Sequence, residues 1–218
     1  MFTRSRRLIR PEILDEQTPE AAAASLRDLV RINRWLGGHE ALRSALRGVA
    51  PEGPFTVLDV GAASGDSGRV IRQAYPQAVV TSLDYRAHHM FGAPAPKVVA
   101  DAFQPPFGPG SFDIVHCSLF LHHFEDPAVV NLLRGFGAMA RVAVVVNDLE
   151  RHALAYWFLP WTRWLLGWDA ITVHDGPISV QAAFMEEELR ALAQAAGLRE
   201  IRTRMRRPAF RITLVARP

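Results

Sequence analysis

The run Val57-Leu58-Asp59-Val60-Gly61-Ala62-Ala63-Ser64-Gly65-Asp66 constrains this chain more than any other stretch. An apolar strand ends in a turn of small residues, and a helix begins beyond it. Such a turn lets the backbone come close to a bound nucleotide-like ligand. Charge narrows the choice of ligand. A dinucleotide fingerprint would need glycine where Ala63 and Asp66 stand, and Asp66 would set a carboxylate beside a pyrophosphate. No Gly-Lys-Ser/Thr follows, so the turn is not a phosphate-binding loop either. A ligand without phosphate and with a cationic end fits it.

Two further strand ends carry acids. Ala78 to Leu83 reads as a strand ending in Asp84, 23 residues after Gly61. That is close to the roughly 20 residues expected for an acid that reaches a ribose diol. A carboxylate accepts both hydrogen bonds of such a diol. Val98-Val99-Ala100 then leads into Asp101-Ala102-Phe103, and a fourth strand, Phe112 to Cys117, runs into Ser118-Leu119-Phe120-Leu121-His122-His123-Phe124.

This pattern resembles the class I S-adenosylmethionine-dependent methyltransferases of the small-molecule type. Their first motif is an apolar strand, an acid, one residue, then Gly-x-Gly-x-Gly; here Ala63 stands for the middle glycine. The resemblance is strong from about Phe55 to Asp148. It implies S-adenosyl-L-methionine as cofactor, with Asp59, Gly61, Ala62, Ala63 and Gly65 at the turn. It implies Asp84 on the ribose, Asp101, Ala102 and Phe103 around the adenine, and Tyr85 and Ser118 beside them. The Pro-Gly-Gly turn usual before the fifth strand is replaced by Gly135-Phe136-Gly137-Ala138-Met139-Ala140-Arg141.

Strand and helix patterns alternate, which implies a parallel sheet. Strands are expected near 55–60, 78–83, 97–100, 111–117, 141–147, 198–205 and 209–216. The fold class is α/β: a Rossmann-like seven-stranded methyltransferase sheet with helices on both faces, its last strand antiparallel. Length favours one domain over 1–218. It divides into an N-terminal helical cap (1–50), a cofactor-binding core (51–150), a substrate-covering insertion (151–183) and a C-terminal helix and strand pair (184–218). Residues 1–17 are polar and expected to be extended or loosely attached. Thr18-Pro19-Glu20 opens a helix that Gly37-Gly38 stops, and a second spans about 40–49. Further helices should begin near Gly65, His88 (short), Phe103 and Asp126, and one should span Glu186 to Ala196.

After the fifth strand, His152 to Trp168 holds four of the five tryptophans, with Pro160 expected to kink any helix there. The favoured reading is an apolar pocket wall; contact with a membrane surface is the second. Residues 171–180, with His174-Asp175-Gly176-Pro177, read as a substrate-facing loop. Arg202, Arg204 and Arg206 share a solvated strand face, with Thr203 and Met205 pointing inward.

Composition excludes other classes. Lys plus Arg is 25 against 22 acids, Lys97 is the only lysine, and no basic region is interleaved with stacking aromatics, so no nucleic-acid partner is expected. A single cysteine, Cys117, allows no internal disulfide and reads as a buried thiol. The first ten residues lack the apolar core of a secretory signal, and no apolar run is long enough to span a bilayer, which points to the cytoplasm.

Methyl transfer from a sulfonium is an in-line displacement in which alignment does most of the work. A phenol, with a pKa of about 10, gains from a general base. The candidates are His174, His123 and Asp148, with His122 and His152 weaker. No metal is expected: Cys117-Ser118 stand where a metal-assisted mechanism wants an acid, and no zinc-type spacing occurs. The expected acceptor is small, apolar and aromatic, methylated on a phenolic oxygen. Carbon methylation of a quinone-like ring and a non-catalytic cofactor-binding protein are the alternatives. The Asn147-Asp148-Leu149 strand end and the His-Asp-Gly-Pro segment are similar to those of relatives in polyketide and isoprenoid-type secondary metabolism.

Overall fold

The computed structural model of the chain describes residues 6–90, 92–208 and 210–218. Its strands are β1 (Phe55–Val60), β2 (Ala78–Asp84), β3 (Lys97–Val99), β4 (Phe112–Ser118), β5 (Ala140–Leu149), β6 (Arg199–Arg206) and β7 (Arg211–Arg217). They form one seven-stranded sheet in the order β3-β2-β1-β4-β5-β7-β6. The first five are parallel, and β7 runs antiparallel to β5 and β6. The helices are α1 (Pro19–Trp35), α2 (Gly38–Arg47), α3 (Asp66–Ala74), α4 (Asp126–Met139), α5 (Ala153–Leu166), α6 (Ala170–Ala182) and α7 (Glu186–Ala195).

Side-chain alternation along buried strands divides the core in two. Leu58, Val115, Val144, Val146 and Leu214 face one way and pack with Leu132, Leu133 and Phe136 of α4 and Leu189 of α7. Val57, Val80, Ile114 and Val145 face the other way and pack with Leu42 and Leu46 of α2 and Val70 and Ile71 of α3. Asp113, inside β4, is clipped rather than buried. It accepts from the Thr56 backbone (2.8 Å) and from Arg141 Nε (2.9 Å), joining the starts of β1, β4 and β5.

Four expectations are corrected. No helix forms near His88 or Phe103; both lie in turns. Residues 6–16 are tied down rather than loose, whereas residues 1–5 of that expectation lie outside the described residues. Arg7 reaches the carbonyls of Ala182 and Phe124 and lies 4.0 Å over the Phe184 ring. The Ile13 and Leu14 amides donate to Asp175 at 3.0 and 2.9 Å, and Ile13–Glu16 forms a 3-10 turn. Residues 171–180 are helical, as part of α6. Asp169 caps this helix by accepting from the Ile171 amide, and a Cβ on Gly176 would stand 2.2 Å from Leu159, so α5 and α6 are in close contact. Capping and packing thus outweigh the Gly-Pro pair, and α5 likewise runs unbroken through Pro160. Finally, Met205 is exposed on the edge strand β6, which carries a register shift between Arg199 and Arg202.

The turn after β1 depends on Gly65. Its φ is +74°, and an added Cβ would lie 2.4 Å from the Ala93 Cα. Gly65→Ala should therefore lower unfolding stability by about 2–4 kcal/mol in urea titrations, because backbone strain and overpacking add. A change within measurement error would contradict this account of the turn.

Candidate active site

The carboxyl ends of β1, β2, β3 and β4, together with α1, α5, α6 and the N-terminal segment, enclose a cavity of about 660 Å³. Gly61, Ala62 and Ala63 form its floor beside Asp84, Tyr85, Asp101, Ala102, Phe103 and Ser118. Ala63 has a left-handed φ of 43°, which costs a non-glycine residue roughly 1–2 kcal/mol. Its amide donates to Asp84 Oδ2 at 2.9 Å, and that bond offsets part of the strain. Asp84 Oδ1 accepts from the Arg86 amide (3.1 Å) and lies 3.3 Å from His89 Nδ1. Burial pushes the Asp84 pKa up, but His89 and the two amides outweigh it and hold the group below its ordinary value. Asp101 Oδ1 accepts from the Phe103 amide at 2.9 Å, and Phe103 packs edge-on against Phe124.

Asp59 departs from the expected convergence of acids. It lies beneath the turn, fully buried, and is not part of the cavity wall. Burial pushes its pKa up to about 7, against the opposing pull of the Gly68 amide, with Asp66 and Asp84 adding to the rise. Its neighbour His116, 4.0 Å away, is pushed down to about 4 by burial and donates through Nδ1 to the Val145 carbonyl. Gly65 also lies off the wall; it sets the turn geometry instead. Asp66 does line the cavity, and it accepts from His39 (2.8 Å) and Asn33 (3.2 Å).

The opposite wall carries a second ionic cluster. Asp148, at the end of β5, accepts from the Leu121 and Leu149 amides (3.0 and 2.8 Å) and from His122 Nδ1 (2.6 Å). His122 Nε2 is 3.7 Å from Glu12, which also accepts from Ser179 Oγ. Burial alone would lower the His122 pKa; the charges and hydrogen bonds of Asp148 and Glu12 reverse this and raise it to about 10. Burial pushes Asp148 up, and His122 more than reverses that, holding it at about 2. Glu12 is held below its ordinary value in the same way, burial being overcome by His122, His123 and Ser179. His122 is thus an imidazolium between two carboxylates, with His123 beside it (ring centroids 4.3 Å apart).

His122, His123 and Glu12 line the cavity, whereas Asp148 and His174 do not. His174 is half-exposed and bonded to Asp175, whose carboxylate is already engaged by the Ile13 and Leu14 amides. His152 caps α5 and stacks on Phe210. Sequence reasoning ranked His122 low and missed Glu12, Asn33 and Arg211. Arg211 is fully buried in the wall and donates to Asn33, and burial lowers its pKa to about 10 against the pull of Asp148 and Asp66. Glu12 gave no sequence signal, since it reaches the site only through the tethered N-terminal segment. Among the described residues, Glu12, His122 and His123 are also the group whose ligand atoms, all within 4.8 Å of one another, could hold a metal ion.

A family model described as a methyltransferase domain matches residues 16–203. The chain belongs to the methyltransferase domain family. This methyltransferase domain uses S-adenosylmethionine, and the cavity fits that donor: Asp84 and Asp101 offer carboxylates to hydroxyl and amino groups, while Asp66 would repel a phosphate. The chain is 32% identical to the malonyl-[acyl-carrier protein] O-methyltransferase of Laribacter hongkongensis, over 35% of this chain and 31% of that one. Human N-acetylserotonin methyltransferase, solved with the cofactor, superposes with a TM-score of 0.64 at 14% identity, over 88% of this chain and 54% of that one. A family 2 O-methyltransferase from Planctomyces limnophilus, solved with apigenin, gives 0.55 at 16%, over 77% and 51%. The matches thus span about a third of the curated relative and about half of these two structures.

In this methyltransferase the buried pair has a definite pH signature. His122, raised on folding, adds stability that is complete below about pH 6.5 and is lost as pH climbs through about 10. Asp148, lowered on folding, adds stability that is complete above about pH 4 and is lost as pH falls through about 2. Asp148→Asn should remove about 3–5 kcal/mol at pH 6 and flatten the alkaline slope. NMR of the ring nitrogens should show His122 doubly protonated at pH 7.5 in the native protein and neutral in the variant. A neutral native ring would contradict the assignment.

Proposed function

We propose that this protein transfers the sulfonium methyl of S-adenosylmethionine to an oxygen of a small, apolar, aromatic acceptor, a phenol being the favoured class. The observation that carries the reading is the make-up of one cavity. Asp84 and Asp101 stand on one wall and His122, His123 and Glu12 on another. The remaining wall is apolar: Leu26, Leu29, Val30, Phe158, Leu159 and Phe210. The volume lies in the ordinary range for ligand sites, about 300–1,000 Å³.

In this reading Asp84 accepts the ribose hydroxyls, Asp101 with Ala102 and Phe103 holds the adenine, and Asp66 faces the methionine ammonium. When bound, the cofactor supplies an already activated methyl group. The chain's own residues then align the acceptor and receive a proton. The apolar wall seats the ring and excludes water. His123 takes the phenolic proton as the oxygen attacks, and Glu12, held ionised beside it, favours the resulting imidazolium. His122 is already protonated, its charge offset by Asp148 and Glu12, and so is not the group that takes the proton. Asp148 orients the His122 ring. His174, outside the wall, has no part in this step.

Asp84→Asn should weaken cofactor binding by about 10–100-fold in calorimetry, since charge-assisted hydrogen bonds to the diol are lost. His123→Ala should leave that affinity within about twofold and lower kcat on phenols by about 10²–10⁴-fold. Turnover of a panel of phenols, quinols and alkylresorcinols that is indifferent to His123→Ala would refute the assigned base. Exclusive transfer to ring carbon would refute oxygen as the acceptor atom.

A further inference from the structure

Among the described residues, none covers the outer face of α5. Leu154, Trp157, Trp161, Trp164 and Leu165 are all exposed, Trp161 to 72% and Trp164 to 90%. At 3.6 residues per turn these positions fall within one arc of about 100° on the helix. The adjoining face supplies Ala155, Phe158 and Leu159 to the cavity. This helix is therefore apolar on both faces, and its outer face would be a costly surface in water.

Two exposed arginines, Arg34 and Arg163, border this face. Arg163 is the only ionisable side chain of α5 apart from Tyr156, and it lies 5.4 Å over the Trp164 ring. At the carboxyl end of the helix, Arg31 of α1 donates to the Leu166 carbonyl and lies 5.0 Å from the ring of Trp35, itself exposed. Arg34 is exposed in the same last turn of α1. Asp28 and Asp169 are engaged within the fold: Asp28 accepts from Arg31 and from the Asp169 amide, and Asp169 caps α6. Trp157 and Trp161 stack at 5.8 Å, so the stripe is pre-formed.

We propose that α5 docks this enzyme on an anionic lipid surface, with the Trp-Leu stripe in the headgroup–acyl boundary and Arg34 and Arg163 among the acidic headgroups. Tryptophan prefers that boundary because its ring is apolar and its N–H is polar, and arginine adds attraction to anionic lipid. Charge complementarity selects this occupant over a second copy of the chain, whose matching stripe would bring the same arginines together. Docked in this way, the helix that covers the cavity would lie in the interface, within reach of an apolar acceptor dissolved in the bilayer. The docking reading does not depend on which acceptor is methylated.

The test is co-sedimentation of the full chain, without acceptor, on vesicles of phosphatidylcholine alone and with a third phosphatidylglycerol. Binding to the anionic vesicles should exceed binding to the neutral ones by about tenfold and weaken with salt, with a blue shift of tryptophan emission. The Trp161→Ser/Trp164→Ser/Leu165→Ser variant should lose at least about tenfold in partitioning, and Arg163→Gln should lose only the anionic preference. Cofactor affinity of each variant should match that of the native chain, which separates lost docking from lost folding. Absence of binding to both vesicles, or binding that the triple variant leaves intact, would overturn the proposal. So would a native dimer in sedimentation that the triple variant converts to monomer, since the stripe would then belong to a second copy.

Discussion

A single hydrogen bond, from the Ala63 amide to the Asp84 carboxylate, holds the site together. It ties the tip of β2 to the turn after β1 and keeps Ala63 in a left-handed conformation that its side chain disfavours. A second link, from the Ala62 amide to the Leu83 carbonyl, closes the same corner. With the turn fixed in this way, α3 starts at Asp66, and Asp66 meets Asn33 and His39 from the N-terminal helices. The roof over the cavity is thereby anchored to the floor. A chain that kept the sheet but lost this corner would retain a core and lose its cleft.

Burial sorts the acids by task. Asp59, without a cation in contact, is pushed toward neutrality and packs the underside of the turn. Asp84 and Asp148 are also buried, but each has a histidine partner in addition to backbone amides, and both stay ionised. The Glu12–His122–Asp148 arrangement pairs one imidazolium with two carboxylates and so leaves a net negative charge at the cavity wall. Breaking such a cluster leaves an uncompensated buried charge, which is why single substitutions there should affect both folding and pH dependence.

The sheet was legible because its strands are short apolar runs bounded by turn residues, and all seven fall within a few residues of their expected places. The acids at the tips of β2 and β3 were legible for the same reason: a charged residue directly after an apolar run marks a strand end. Asp59 misled because it lies one residue inside its strand and so points beneath the turn rather than onto it. The helix α6 was hidden by Gly176 and Pro177, whose local preference is overridden by the contact of Gly176 with Leu159 and by the anchoring of Asp175 to the N-terminal segment. Glu12 joins His122 across more than a hundred residues, and no local pattern encodes that meeting.

The central claim is that the cleft selects a phosphate-free adenosyl ligand with a cationic end. Calorimetric titration of the native chain with S-adenosylmethionine, and separately with NAD and ATP, tests it directly. The account requires one S-adenosylmethionine bound per chain and no measurable heat from either phosphorylated nucleotide. Binding of NAD or ATP at comparable affinity, with displacement of S-adenosylmethionine, would contradict it.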